Sequence, residues 1–411
     1  MHRLRPLLPL LILAFTLSAC RQAPPPGLIT IDIDAGLKNK GELRLSEIAT
    51  DVEFIQLHGM GTDTYIHSWS WQYYVGEKVI CVFNLKPYEF LLFTRDGKFI
   101  RKIGTAGKGP GEFIGEMLVF SVDEASETIL LADNRSKKFL LYRFSGEFIR
   151  EQAYKKYHGL AISFAVGICP DQQGNFVIRN QIVPTENDIC YDILIIDRDL
   201  KLVQAIQSQK PVTGPYITAF GSNQIYSFGG GIRFWNPEKD TVYQLINNQA
   251  LPVYHLKVSD PPSIEEEMTS NNRGHITIGK ILETQDYLLV FGNKGSLPYH
   301  LAYQKATGKA VRIFASGKCG LSFGDKSGME NDLFGYSPVT FSDFDCFGDG
   351  KLILILYPGV MDAIDEWLKG KLTDCLGSAR VLLPGKRDEL VRLIENLDEN
   401  SGPVLMVITL R

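Results

Sequence analysis

The chain states one phrase twice: LLFTRDGKFIR from Leu91 to Arg101 and LLYRFSGEFIR from Leu140 to Arg150. Each copy is an apolar run, a turn at Asp96-Gly97 or Ser145-Gly146, and a second run of alternating apolar residues. That pattern predicts a β-hairpin. Looser copies begin at Leu194 (LIIDRDLKLVQ), Phe234 (FWNPEKDTVYQ) and Leu301 (LAYQKATGKAV), with one longer interval between the last two. A β-repeat of roughly 40 to 50 residues is the spacing of propeller blades. The five hairpins supply five blades, and Val339 to Tyr357 with the terminal strands supplies a sixth. The expected fold is therefore all-β, a six-bladed β-propeller. The long interval from Phe234 to Leu301 leaves room for a degenerate seventh blade.

The ends support ring closure. Leu390, Leu393, Ile394 and Leu397 lie at i, i+3, i+4 and i+7, the apolar face of a short helix, and Val404 to Leu410 reads as a strand. A last strand paired with an early one would close the ring and remove an open sheet edge. Met361 to Leu368 predicts a second short helix in the same insertion.

The first residues carry Arg3 and Arg5, an apolar run from Leu7 to Leu17, and then Leu17-Ser18-Ala19-Cys20. A charged start, a short apolar run and small residues before a cut describe a secretory signal, too short to remain as a membrane span. The boundaries expected are a signal peptide over 1–19, an anchor and tether over 20–27, and one propeller domain over 28–411. The L-S-A-C string resembles a bacterial lipobox, which implies acylation at Cys20 and attachment to the membrane. Pro24-Pro25-Pro26 makes the tether stiff and extended. No acidic run of the kind that resembles a surface-export signal follows, which favours a periplasm-facing outer-membrane location over surface display.

Removing residues 1–19 leaves 41 basic against 47 acidic side chains. Nothing like the basic stripe needed to track phosphates is present, so nucleic acid is not an expected partner. After Cys20 the cysteines form no CxxC and pair with no histidine at zinc-ligand spacing. Cys81 in VICVF reads as a buried strand thiol, and an oxidising compartment permits a Cys169–Cys190 disulfide.

The Gly-rich stretch from Ile103 to Phe113 lacks the Gly-Lys-Ser/Thr ending of a phosphate loop and is followed by strand-like runs. It reads as a blade-to-blade crossover in which glycine permits positive φ. Here DGKFIRKIGTAGKGPGEF, followed by ILLADNRSKKFLLYRFSGEFIR, resembles an NHL-type blade and the six-bladed β-propeller lipoproteins of Bacteroidetes. IDIDAGLKNKGELRLSEIATDVEFIQL, from Ile31, resembles that family's opening, where a segment after the tether supplies a strand near the ring closure. LIENLDENSGPVLMVITLR resembles its closing segment. The resemblance implies an envelope protein and little about its chemistry.

Candidate ligand contacts come from two places. Trp69, Trp71 and Tyr73 alternate on one face of SWSWQYY, either as a platform for sugar rings or as a wall between blades. Asn134 and Arg135, after ILLA, and Arg179 and Asn180, after NFVI, occupy comparable places in successive blades. They either face a ligand at the rim, where arginine donates in a fixed fork, or bind their own backbone and fix the turn. The histidines are dispersed, and no nucleophile elbow, zinc-protease motif or EF-hand loop is present. No catalytic residue, cofactor or metal is predicted. The leading expectation is a binding or scaffold protein for a glycan, peptide or envelope protein; the alternative is a hydrolase or lyase with calcium or zinc on the axis.

Overall fold

The computed structural model describes residues 27–60, 66, 72–157, 160, 162, 164–181, 191–207, 225–237, 240–247, 249–259, 274–315, 328–335, 339, 344–347, 350–357, 370, 373, 376, 380–398 and 401–411. The signal peptide, Cys20, Trp69, Trp71, Cys190 and the helix expected over Met361 to Leu368 lie outside them.

The chain opens with β1 (Ile29–Asp32), helix α1 (Ile33–Lys38), β2 (Lys40–Gly41), helix α2 (Leu45–Ile48) and β3 (Ala49–Gln56). Blade I follows as β4 (Gln72–Val75), β5 (Val79–Leu85), β6 (Tyr88–Thr94) and β7 (Phe99–Ile103). A short parallel pair, β8 (Thr105–Ala106) and β9 (Glu112–Phe113), occupies the predicted Gly-rich crossover, where Gly104 and Gly111 have φ of 63° and 70°. Blade II is β10 (Leu118–Asp123), β11 (Thr128–Asp133), β12 (Lys138–Arg143) and β13 (Phe148–Ala153). Blade III is β14 (Phe164–Pro170), β15 (Phe176–Gln181), β16 (Tyr191–Ile196) and β17 (Leu202–Gln207). Blade IV is β18 (Ile225–Phe228), β19 (Gly231–Asn236), β20 (Thr241–Ile246) and β21 (Gln249–Lys257). Blade V is β22 (Ile276–Glu283), β23 (Tyr287–Lys294), β24 (Leu297–Gln304) and β25 (Lys309–Ile313). Blade VI takes β26 (Phe344–Phe347), β27 (Lys351–Leu356) and β28 (Val404–Leu410), with helix α3 (Pro384–Glu395) inserted before the last strand.

Both ends of the chain build blade VI. β28 pairs antiparallel with β3, from Val404↔Gln56 to Leu410↔Ala49, so the N-terminal strand forms the blade's outer edge. The ring is closed as expected, with six blades. The opening segment does more than close it. β1 adds in parallel to β21 of blade IV, and β2 to β25 of blade V, so residues 29–56 run as a belt along the edges of three blades in turn. Asp32 caps α1 by accepting the Ala35 amide at 2.9 Å. Gly36 lets that helix lie against blade V, since a Cβ there would meet Leu301 Cδ1 at 2.6 Å.

Middle strands such as β5, β11 and β12 read as continuous apolar runs because neighbouring blades cover both of their faces. Side chains alternate across a strand. In β5, Val79, Cys81 and Phe83 pack toward blade II, while Ile80 and Val82 pack toward blade VI. In β11, Ile129 and Leu131 face blade I, and Leu130 and Ala132 face blade III. Six apolar clusters result, one per blade boundary. Each fully buried large apolar side chain contributes about 1.5–3 kcal/mol, so the stacking itself is the core.

The structure revises one repeat. The hairpin at Phe234 is the second and third strand of its blade, whereas the other four copies are the third and fourth. Counted from the third strand, the repeats start at Tyr88, Lys138, Tyr191, Thr241 and Leu297, which is a nearly even spacing. The interval from Phe234 to Leu301 holds no further blade; its length is the arithmetic of a shifted repeat followed by a normal one.

Candidate functional site

Antiparallel order gives the disc two different faces. Connections between first and second strands, and between third and fourth, are tight turns that emerge on one face, such as 76–78 between β4 and β5 and 229–230 between β18 and β19. On the other face successive blades are joined by longer stretches, such as 104–117 between β7 and β10 and 314–343 between β25 and β26. There too β27 is separated from β28 by residues 357–403. Long connections on a rigid scaffold are where binding residues concentrate.

The tight-turn face is bolted together. The Glu124 carboxylate accepts the amides of Glu77, Lys78 and Val79 at 3.0, 2.9 and 3.1 Å, tying blade II to blade I. Arg198 donates to Asp123 at 2.8 Å between blades III and II, and Gln172 to the Gly230 carbonyl at 3.1 Å between III and IV. Lys351 meets Glu77 at 2.6 Å between VI and I. Tyr287 of blade V donates to Glu47 at 3.0 Å, in the helix that leads into β3.

The remaining boundary, between IV and V, carries the densest cluster. The Glu283 side chain is fully buried. Its Oε2 accepts from Tyr226 at 2.9 Å; its Oε1 accepts from Tyr254 at 3.1 Å, from Lys305 at 2.7 Å and from Arg233. The cations also flank one ring, with Arg233 Cζ 4.5 Å and Lys305 Nζ 4.3 Å from the Phe228 centroid. Burial, with Glu283 beside it, pushes the Tyr254 hydroxyl up to about 12, and burial lowers Lys305. Two tyrosines and two cations on one carboxylate satisfy it completely, which makes this group a brace with its charge already matched.

On the face of long connections an asparagine recurs near the end of the second strand: Asn84, Asn134, Asn180 and Asn236 in blades I to IV, all at most 1% exposed. Asn134 Nδ2 donates to the carbonyls of Met117 at 2.6 Å and Ala165 at 2.8 Å. Its Oδ1 accepts from the Ala165 amide at 2.8 Å and Tyr154 at 3.2 Å. This side chain thus sews blade II to the first strand of blade III. The preceding Asp133 fixes the turn, accepting the amides of Ile114 at 2.6 Å and Arg135 at 3.0 Å. Arg135 is exposed and lies 3.3 Å from Glu116.

One blade on, Arg179 is 1% exposed. It donates to the carbonyls of Asn180 and, at 3.2 Å, Asp192; the Asp192 carboxylate is 3.7 Å away. Its Cζ stands 5.8 Å from the Phe234 ring, which stacks on Tyr243 at 5.1 Å. Asn180 donates to the Tyr191 carbonyl at 3.0 Å, and Asn236 to Asp192 at 3.4 Å. Arg179 therefore faces the boundary between blades III and IV, while the Asn180 bond ties the second strand of blade III to the third. Tyr73 is fully buried and shares a 2.6 Å hydrogen bond with Tyr357, a wall between blades I and VI.

Of the residues singled out from sequence, Arg135 is the one in the described set that faces solvent. The recurring asparagine was visible as a pattern, apolar strand then Asn, in VICVFN, TILLADN, FVIRN and IRFWN. Glu283 was not, because its partners come from positions 226, 233, 254 and 305. Cys81 is a buried thiol raised well above its ordinary range by burial, and Cys169 is buried, its expected partner Cys190 lying outside the described residues. Among the described residues no group of three or more His, Cys, Asp or Glu side chains is arranged to hold a metal, and no helix is long and apolar enough to cross a membrane.

The family model described as "Domain of unknown function (DUF4934)" matches residues 28–409. No curated protein matches the chain. A solved structure from Bacteroides fragilis NCTC 9343, named as a candidate exported protein, is similar at 16% identity and a TM-score of 0.62, covering 94% of this chain and 100% of that one. A DUF4221 member from Bacteroides vulgatus is 12% identical with a TM-score of 0.43, covering 88% and 97%. Virginiamycin B lyase from Staphylococcus aureus, in a catalytically inactive form with quinupristin, is 12% identical with a TM-score of 0.39, covering 64% and 74%. The first shows a shared fold; the other two superpose too loosely to bear on function.

Proposed function

The chain belongs to the DUF4934 family, and from that premise we propose that it is a lipid-anchored β-propeller of the bacterial envelope that binds a glycan, peptide or protein partner through the face of long connections. The asymmetry of the disc carries this reading. One face has tight turns with a clamp at every blade boundary; the other carries the long connections between blades on the same rigid ring. The buried charges support a binding scaffold over a catalyst. Glu283 is matched by Arg233 and Lys305 at the boundary between blades IV and V, and Arg179 by Asp192 within blade III, so these charges already have counter-charges inside the ring.

Acylation of Cys20 would place the protein at the outer membrane, facing the periplasm, on a short tether to the belt. Cys20→Ala is expected to move the chain from the membrane fraction to the soluble fraction; unchanged fractionation would remove the anchor from this reading.

Partner binding is tested with the chain from Arg21 onward, which keeps every described strand. It is used as bait against envelope extracts and a panel of oligosaccharides and peptidoglycan fragments. Replacing residues 182–190 by a two-residue turn should weaken capture with little change in melting temperature, whereas Lys201→Glu on the tight-turn face should not. Capture that is lost through Lys201→Glu and kept in the shortened variant would put the binding surface on the wrong face.

A further inference from the structure

We propose that the outer rim of blades III and IV, where Leu202, Val203, Leu28 and Ile29 are exposed, seats on the phospholipid surface that anchors the chain, so that the disc stands on its edge. The inference rests on the anchored reading and adds to it which side of the molecule meets the membrane. Eight large hydrophobic residues are exposed among those described, and six of them lie on the rim: Ile100, Phe148, Leu202, Val203, Leu28 and Ile29. Four of the six belong to the fourth strands of blades I to III, which the belt leaves bare. The fourth strand carries a bulge, at Ile100 in β7, Ile149 in β13, Val203 in β17 and Val253 in β21. A bulge re-aims side chains, so residues at or beside it come to the surface at one height round the ring. On blade IV the belt takes that place. β1 begins to pair at Ile29↔Tyr254, which brings Leu28 level with Val253, the counterpart of Val203 one blade earlier. The four residues thus form one apolar band across two neighbouring blades.

What singles out blade III among the bare edges is the chain beyond the bulge. In β7 the bulge is followed by Arg101 and Lys102, and in β13 by Arg150 and Glu151. Charges of this kind on an open edge keep it from associating. β17 instead continues as Gln204-Ala205-Ile206-Gln207, without a charge, and its Leu202 and Val203 are 40% and 56% exposed. Carboxylates close to the band in the chain are already paired. Asp199, in the turn before β17, meets Arg150 at 2.6 Å, and Asp32, at the end of β1, meets Lys257 at 3.1 Å. An anionic lipid surface therefore meets matched charges and apolar side chains here.

The tether is the reason to place a bilayer against this band. Leu28 is eight residues from Cys20, so an acylated cysteine stays within about 29 Å of it. A short tether raises the effective concentration of whatever surface it reaches to about millimolar. Four aliphatic side chains are too few to hold a free protein on a bilayer, but they add to an anchor that is already in place, because seating them removes apolar surface from water. Blade I, opposite blade IV in a six-membered ring, then points away from the membrane. With the disc on its edge, the face of long connections stays open to a partner.

The test uses the chain from Arg21 with an N-terminal hexahistidine tag, held on phosphatidylcholine vesicles that contain a nickel-chelating lipid. The artificial anchor makes the outcome independent of acylation: fractionation of Cys20→Ala judges the anchored reading, and footprinting of side chains with hydroxyl radicals judges this one. On vesicles, labelling of Leu28, Ile29, Leu202 and Val203 should fall several-fold relative to the free chain, while Ile100, exposed at the same bulge on the opposite blade, keeps its labelling. The pair Leu202→Asp and Val203→Asp should restore the labelling of Leu28 and Ile29. The milder pair Leu202→Ser and Val203→Ser, with melting curves, separates a lost seat from a lost fold. Unchanged labelling on vesicles, a fall at Ile100 as large as at Val203, or protection that the aspartate pair leaves in place overturns the proposal. So does protection that appears in the free chain as its concentration rises, since that assigns the band to a second copy.

Discussion

The hydroxyl of Tyr226, on the innermost strand of blade IV, donates to Glu283 Oε2 at 2.9 Å across the boundary to blade V. That bond joins two blades through a carboxylate that also holds Arg233 and Lys305. Its loss should therefore be felt by the ring and not by one blade alone.

Glu283→Ala strands two cations in a mostly buried place without their counter-charge. Removing one partner of a buried ion pair costs about 3–5 kcal/mol. Urea unfolding should show a drop of that order with an unchanged slope, and Glu283→Gln should be intermediate because it can still accept from the tyrosines. A loss below about 1 kcal/mol for the alanine variant would show that the cluster is solvated and not a brace.

Asn134→Ala removes four hydrogen bonds and leaves the Ala165 amide and the Tyr154 hydroxyl buried without an acceptor. At about 1–3 kcal/mol per orphaned group, the expected loss for these two groups is about 2–6 kcal/mol. Asn134→Asp should also destabilise, since it sets a carboxylate oxygen against two carbonyls. Amide exchange should locate the loosening at the start of β14, a readout that would contradict the staple role if it stayed protected.

His300 is buried in β24, and burial, with Arg312 nearby, depresses its pKa to about 4 from an ordinary 6.5. Between those values the unfolded chain binds the proton and the folded chain does not, so stability falls as pH drops from 6.5 toward 4. The full penalty, on the order of 3 kcal/mol, is reached near pH 4, and above 6.5 the residue contributes no pH dependence. His300→Phe should flatten this part of the stability profile. An unchanged slope between pH 6.5 and 4 in that variant would assign it to other groups.

Gly36→Ala should push α1 away from blade V, because the added Cβ would lie 2.6 Å from Leu301 Cδ1 and 2.9 Å from Ala310 Cβ. Overpacking of this kind costs about 1–3 kcal/mol. The belt strands should exchange their amides faster while blades I to III keep their protection. Uniform loss across all six blades would show that the belt and the ring unfold together.

The repeated hairpins were legible because a turn, an alternation and a strand length are local properties. So were the helix carrying Leu390, Leu393 and Ile394, which ends at Glu395 and leaves Leu397 beyond it, the strand at Val404 to Leu410 and the crossover role of the Gly-rich stretch. The shifted copy at Phe234 misled because hairpins within a blade share a polar turn between strand-like runs, and only pairing distinguishes a second strand from a third. The candidate site was less readable for a related reason. Asn134 and Arg179 were placed at equivalent positions by the repeat, but whether they faced a rim or a neighbour depended on residues such as Ala165 and Asp192 from elsewhere in the chain.

By itself the sequence determined the blade, because turn chemistry and period-2 burial act within about 25 residues. Tertiary structure decided what joins the blades: which strand the belt covers, and where Glu283 finds four partners. Those contacts are fixed by ring closure, which brings residues from opposite ends of the chain into register, a constraint carried by no single stretch of it.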